Sequence, residues 1–220
     1  MKKKSVFDTT AWTAKKDKLA VLVPCRDTLH SAHAMSLIEL VKFNTMNGID
    51  TQVFMDASTI LLNQRERLAA EAIKLGSEYM LWLDSDMVVP ATTAVRLLAH
   101  NEDVVAANYV RRQLPVKGVA YQKIGDWQNP LSFDVKDELV PIEGIGMGCF
   151  LMKTEIFAKI PKPWFDFGWT AESNDWLGED MLLCQKIMNA GYSIKVDTVL
   201  SREISHLGTW AFNVKMLDKV

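Results

Sequence analysis

Two aspartates one residue apart, Asp84 and Asp86, follow directly on an apolar run in the stretch "YMLWLDSDMVVP". Carboxylates this close repel each other, and burial strengthens the repulsion. A divalent cation between them removes the conflict, and hard oxygen ligands suit Mg²⁺ or Mn²⁺. The plain alternative is a solvated Asp-x-Asp turn. A second acidic pair, Glu179 and Asp180, opens the stretch "EDMLLCQKIMNAG". Acids in a first helical turn are favoured by the helix dipole in any case, and the dipole lowers their pKa unless burial offsets it. His206, in "SHLGTW", offers an imidazole nitrogen of the kind that Mn²⁺ accepts. A partly buried polar histidine is the plainer alternative. His30, His33 and His100 lie in or beside expected helices and suggest no chemistry.

These residues need elements to position them. Met80, Leu81, Trp82 and Leu83 do not alternate with polar residues, as suits a strand covered on both faces. Asp84 and Asp86 then fall at its carboxyl end, where open α/β sheets bind ligands. Before it, "LAVLVPC" predicts a first buried strand stopped at Pro24, and "TQVFMD" a short second one. Between them runs "SAHAMSLIELVKFNTMNG", a predicted helix with Ser31 as N-cap and Gly48 as its stop. "ILLNQRERLAAEAIKLG" is a second predicted helix, closed by Gly76. "TTAVRLLAHN" predicts a third helix and "DVVAANYV" a strand after it. The second half is less regular. "GVAYQKI", "ELVPIEGI", "GCFLMK" and "YSIKVD" read as strands, and "EDMLLCQKIMNAG" as a helix with Gly191 as C-cap. The expected fold is α/β: a single, mostly parallel, Rossmann-like sheet flanked by helices, with a mixed second half. It forms one domain over 19–220 behind a basic arm over 1–18.

Composition narrows the classes. The chain has 220 residues, enough for one large α/β domain, and its formal net charge of -2 does not point to nucleic-acid binding. No apolar run approaches the ~20 residues that span a bilayer. The amino terminus carries six lysines in 18 residues and lacks the apolar centre of a secretory signal. It reads as a solvated arm, or as a weak tether to phosphates or acidic lipids. Cys25, Cys149 and Cys184 show no paired spacing and suit buried roles in a reducing, cytoplasmic setting.

Taken in order, "VPCRD", "NQRERLAAEAI", "YMLWLDSDMVVP", "VVAANYVRR", "GIGMGCFLMKTEIF", "WLGEDMLLCQKIMNAGY" and "SHLGTW" resemble the glycosyltransferase A-type fold, close to family-2-like inverting enzymes and small phage and bacterial glycosyltransferases. Each motif is short, and their order carries more than any one. The resemblance spans roughly Leu19 to Trp210. It implies a nucleotide-sugar donor, a UDP-sugar first, lying across the carboxyl ends of the first strands with Mn²⁺ or Mg²⁺. Pro24, Cys25, Arg26 and Asp27 would line the nucleoside pocket, completed by Asp56 and by Arg65, whose plain alternative is a solvated charge paired with a nearby Glu. Asp84 and Ser85 would face the ribose and sugar. Asp86, with Asp84 and His206, would hold the metal. Asp180, beside Glu179, would be the base that takes the acceptor's proton. Arg112 and Gly148 would reach the donor.

Other readings stay open. Gly144, Gly146 and Gly148 do not form a Walker loop; they let the chain pass close to a sugar, or mark a bulged strand. Trp164, Phe165, Trp169 and Trp176 could stack on a sugar or base, but at least two are expected to form the local core of a long loop. Arg111 joins Arg112 as a candidate for a diphosphate or an anionic acceptor. "LDSDMVV" also fits a haloacid-dehalogenase phosphatase, with Asp84 as nucleophile and Asp86 as acid. That family places its motif on the first strand, whereas at least two strand-helix units precede it here. A non-catalytic nucleotide-sugar or nucleic-acid-binding module is the third reading. The acceptor is left open among a glycan, a lipid-linked glycan, a protein and a modified DNA base.

Overall fold

The computed structural model describes residues 18–170, 174–208 and 211–219. The amino-terminal arm lies outside them, except that Lys18 opens the first strand. In chain order the elements are β1 (Lys18–Cys25), α1 (Ser31–Met46), β2 (Asp50–Ala57), α2 (Leu61–Leu75), β3 (Tyr79–Leu83) and β4 (Met87–Val88). They continue with α3 (Thr93–Ala99), β5 (Val104–Ala106), β6 (Ala120–Tyr121), β7 (Leu139–Ile142), β8 (Gly144–Ile145) and β9 (Cys149–Lys153). Last come β10 (Gly168–Thr170), β11 (Asp175–Leu177), α4 (Glu179–Asn189), β12 (Ile194–Asp197), β13 (Ser205–Leu207) and β14 (Ala211–Phe212).

Seven strands make the main sheet, in the order β2-β1-β3-β9-β5-β12-β7. β1 runs parallel to β2 and β3, and β5 runs parallel to β12. β9 is antiparallel to both β3 and β5, and β7 is antiparallel to β12. Five strands therefore share one direction, and two late strands run against them. Among the described residues the fold is mixed α/β, with a large, mostly parallel sheet and four α-helices. β1, β3 and β9 pair on both sides, and their unbroken apolar runs are buried throughout, apart from the end residues Lys18, Tyr79 and Lys153. This is the reason they lack the alternation of a half-exposed strand.

Local boundaries shift in places. α1 starts from His30 in an extended conformation, not from Ser31 as N-cap, and no side chain caps it. Gly76 closes α2 with φ at 73°, a left-handed turn that glycine adopts at no steric cost. Ala190 is the C-cap of α4, and Gly191, with φ at 90°, is the residue after it. The expected strand "DVVAANYV" is cut to three residues. Asn108 turns inward there and accepts the Val119 and Ala120 N–H groups at 3.0 Å each, so the chain leaves the main sheet. "ELVPIEGI" divides between β7 in the main sheet and β8 in a separate pair with β6. Among the described residues no helix is long and apolar enough to cross a membrane.

Candidate active site

The carboxyl ends of β1 and β3 and the turn after β3 open into a cleft of about 340 Å³. Pro24, Cys25, Arg26, Ser85, Arg112 and His206 line it together with Asp84 and Asp86. Ser58, Thr59, Leu61 and Gln64 complete the wall, and the sequence reading missed all four. Gln64 is the most informative. Its side chain is buried on α2, and its amide nitrogen donates to the carbonyls of Cys25, Asp56 and Ser58, the last two at 2.8 and 3.1 Å. It ties the ends of β1 and β2 into one rim.

The fold alone brings His206 to Asp86. β13 pairs antiparallel with β4, placing His206 opposite Met87, and the Leu207 N–H donates to the Asp86 carbonyl at 2.7 Å. Nδ1 of His206 lies 2.9 Å from the Val110 carbonyl, which can only accept, so Nδ1 carries the proton. The lone pair of Nε2 then faces Asp86 Oδ2 at 3.4 Å. Two acceptors at this separation need a proton or a cation between them. Arg112 supplies charge nearby, with Nη1 2.8 Å from the same oxygen. Burial alone would raise the Asp86 carboxyl, but with a second proton on Nε2 and no metal between the two, the donating, charged His206 ring and then Arg112 outweigh it and hold the group below the ordinary carboxylate range. With the Nε2 proton removed, this carboxylate oxygen and ring nitrogen are ligand types that a transition-metal ion accepts.

Asp84 is placed differently. Its Oδ1 accepts from Arg65 Nη2 at 3.0 Å. Arg65 is only 2% exposed, so it is neither a solvated helix charge nor a wall of the cleft. Its Nε lies 3.5 Å from Glu179 Oε1 at the start of α4, and its face lies over the Trp82 ring at 5.6 Å. One buried guanidinium thus joins the two acidic motifs. A carboxylate held this way is a poor phosphatase nucleophile. Asp180 keeps some open surface, but burial and then Glu179 push its carboxyl up to about 6. Burial overrides the expected dipole effect.

Four further expectations are placed away from the cleft wall. Asp27 is exposed beyond the end of β1. Asp56 is held by a bidentate pair with Arg67, at 2.6 and 2.9 Å. Arg111 turns to the Tyr121 hydroxyl. Gly148 lies behind Tyr109: a Cβ at Gly148 would come within 2.7 Å of that ring, and one at Gly146 within 2.4 Å of its hydroxyl oxygen. A Cβ at Gly144 would meet Met181 Sδ at 2.6 Å. The glycine run therefore admits the protein's own side chains, not a sugar. Of the aromatic segment, Trp164 and Phe165 are buried, Phe165 packing edge-on to Trp82 at 5.3 Å. Trp169 and Trp176 are exposed, paired across β10 and β11 at 5.4 Å. All three cysteines are free and buried.

Among the described residues the one group with three possible ligand atoms within 4.8 Å of one another is His100, Glu138 and Asp197; the expected set of Asp84, Asp86 and His206 does not come together that closely. Arg96 pairs there with Asp197 and, at 2.8 Å, with Glu138. The protein's own guanidinium already supplies the positive charge that an ion would bring.

No protein-family profile matches the chain, and no curated protein sequence matches it. Among solved structures, A197 from STIV is similar over 87% of this chain and 86% of its own, at 18% identity and a TM-score of 0.56. That likeness is one of fold. A glycosyltransferase involved in the glycosylation of the major capsid of PBCV-1 aligns over 66% of this chain and 68% of its own. Its identity is 15% and its TM-score 0.34, too low for argument.

Proposed function

We propose that the chain is a metal-dependent glycosyltransferase of the A-type fold, moving a sugar from a nucleotide donor, UDP first among them, to an acceptor hydroxyl with inversion. The observation that carries this reading is the buried Arg65 bridge. It links Asp84, next to the Asp86–His206 pair, to the start of α4, where Asp180 has its carboxyl raised to about 6. Asp86 Oδ2 and His206 Nε2 would hold Mn²⁺ or Mg²⁺, which when bound neutralises charge developing on the diphosphate. Arg112 would exchange its contact with Asp86 for a phosphate oxygen. The acceptor oxygen bonds to the anomeric carbon as the bond to the diphosphate oxygen breaks. The electron pair leaves with the nucleoside diphosphate, and the acceptor proton passes to Asp180. A base with a pKa near 6 is ionised at neutral pH and strong enough to assist.

The test is a panel of nucleotide-sugars with Mn²⁺, read first as binding and then as donor hydrolysis. EDTA should abolish turnover and Mn²⁺ restore it. Asp86→Asn should lose metal-dependent nucleotide binding, whereas Asp180→Asn should keep binding and lose most transfer. Full turnover in the chelator, or the same binding defect in both variants, contradicts the assignment.

A further inference from the structure

A second and larger cavity, of about 810 Å³, lies behind the 110–118 hairpin. Val110 and Gly118 bridge there, and the Arg111 N–H donates to the Lys117 carbonyl at 2.8 Å. The carbonyl of Val110 also takes the His206 proton, so this hairpin is a wall common to both hollows. The lining separates by chemistry. Lys117, Lys136, Arg202 and Lys215 supply four cations against one carboxylate, Asp134. Among the described residues none of the four pairs with an acid. Arg202 spends its donors on backbone, the Phe133 carbonyl at 2.7 Å and that of Val135 at 3.1 Å. The chain as a whole is formally at -2, so this concentration of positive charge is local. Like charges gathered without counter-ions repel, and a bound anion relieves them.

The rest of the lining is apolar. Val116, Leu131, Phe133, Val214 and Leu217 form it. The walls are braced before any ligand arrives. Asn108 holds Val119 and Ala120, and its amide nitrogen reaches the Leu131 carbonyl at 3.4 Å. Asn213 Oδ1 accepts the Lys215 N–H at 3.0 Å.

We infer that this cavity binds an amphiphilic phosphate, its headgroup among Lys117, Lys136, Arg202 and Lys215 and its apolar body against Phe133, Val214 and Leu217. The inference stands apart from the glycosyltransferase reading. The full chain would be titrated calorimetrically with octyl phosphate, inorganic phosphate and octanol. Octyl phosphate should bind tightest. It should exceed inorganic phosphate by roughly fourfold for each methylene that enters the apolar part. Lys136 and Lys215 are exposed, so Lys136→Glu/Lys215→Glu should fold normally and bind octyl phosphate at least about tenfold more weakly. Val214→Ser should weaken octyl phosphate and spare inorganic phosphate, because it removes apolar surface without adding charge. Asp86→Asn should leave octyl phosphate binding intact, and the lysine variant should keep nucleotide binding with Mn²⁺, so the two readings fail separately. Phosphatidic acid vesicles give the source: co-sedimentation that the lysine variant loses places the headgroup in a bilayer, and binding of the soluble phosphate alone places it on a free ligand. No octyl phosphate binding at millimolar concentration, equal binding by the lysine variant, or octanol binding as tightly as octyl phosphate would overturn the inference.

Discussion

Asp180 is ionised at neutral pH against the preference of its surroundings. Its carboxyl sits at about 6, above the ordinary 3.8, because burial and Glu179 disfavour the charged form. A folded pKa above the unfolded one means that the contribution to stability is fully present below the unfolded value and is lost as pH rises through the folded one. At pH 7 the ionised group therefore weighs against folding, by up to about 3 kcal/mol at roughly 1.4 kcal/mol per unit. Asp180→Asn should raise Tm at pH 7 and lose that advantage by about pH 4, where the native carboxyl is also neutral. Thermal unfolding across the range checks this, and a constant difference would mean that the shift is absent. Activity should follow the opposite course. If Asp180 is the base, turnover at saturating donor should rise with pH up to about 6 and then level.

At the scale of elements, α2 connects what β3 and α4 carry. Arg65→Met should destabilise the fold by about 3–5 kcal/mol in a urea titration, because Asp84 and Glu179 lose their shared cation. Arg65→Lys should lose less, since it keeps the charge while giving up the fork that reaches both acids. Equal losses would show that packing against Trp82, not charge, is what Arg65 supplies. The glycine run makes a second prediction. Gly146→Ala should cost about 1–3 kcal/mol, and pairing it with Tyr109→Ala should recover part of that, because the new methyl meets the tyrosine oxygen. Additive losses would place the strain elsewhere.

The same elements mark how far the sequence could be read. The position of Asp84 and Asp86 is legible because an unbroken apolar run suits a strand covered on both faces, which puts the two aspartates at its carboxyl end. The burial of Arg65 was also legible in principle. Gln64, Arg65, Leu68, Ala69 and Ala72 follow the three-four spacing of a buried helical face, and two polar residues on such a face require partners. The pairing of His206 with Asp86 had no local signal. It depends on the register of β13 with β4, two short strands some 120 residues apart whose pairing leaves no periodicity to detect. Tyr109 behind the glycines was equally hidden, because a cavity filled by a distant ring looks, in sequence, like a cavity left for a ligand.

Across the whole molecule, protection should follow pairing and burial. Amides of β1, β3 and β9 are paired on both sides within the core and should exchange slowest, near the global unfolding limit. Those of β10, β11 and β14 belong to small sheets with exposed residues and should exchange much faster. Hydrogen exchange read by mass spectrometry gives the order, and a fast β9 would show that the two halves of the sheet open independently.

The place of β9 also sets a timetable for the nascent chain. It sits between β3 and β5 in space but follows both in synthesis. Once Leu83 has left the ribosome, β1, β2 and β3 can pair. β5 then emerges with neither of its neighbours, β9 or β12, yet made. Through some 65 residues of elongation, β3 offers an open, apolar edge of the kind that other chains can pair with. A ribosome stalled just before Cys149 would hold Asp84 and Asp86 on a three-stranded piece of the sheet, and the arrival of Phe150 and Leu151 is the moment at which β9 joins β5 to β3, with β12 still to be made. Folding force measured along the length of translation should rise there, and crowding of nascent chains should be most dangerous just before it.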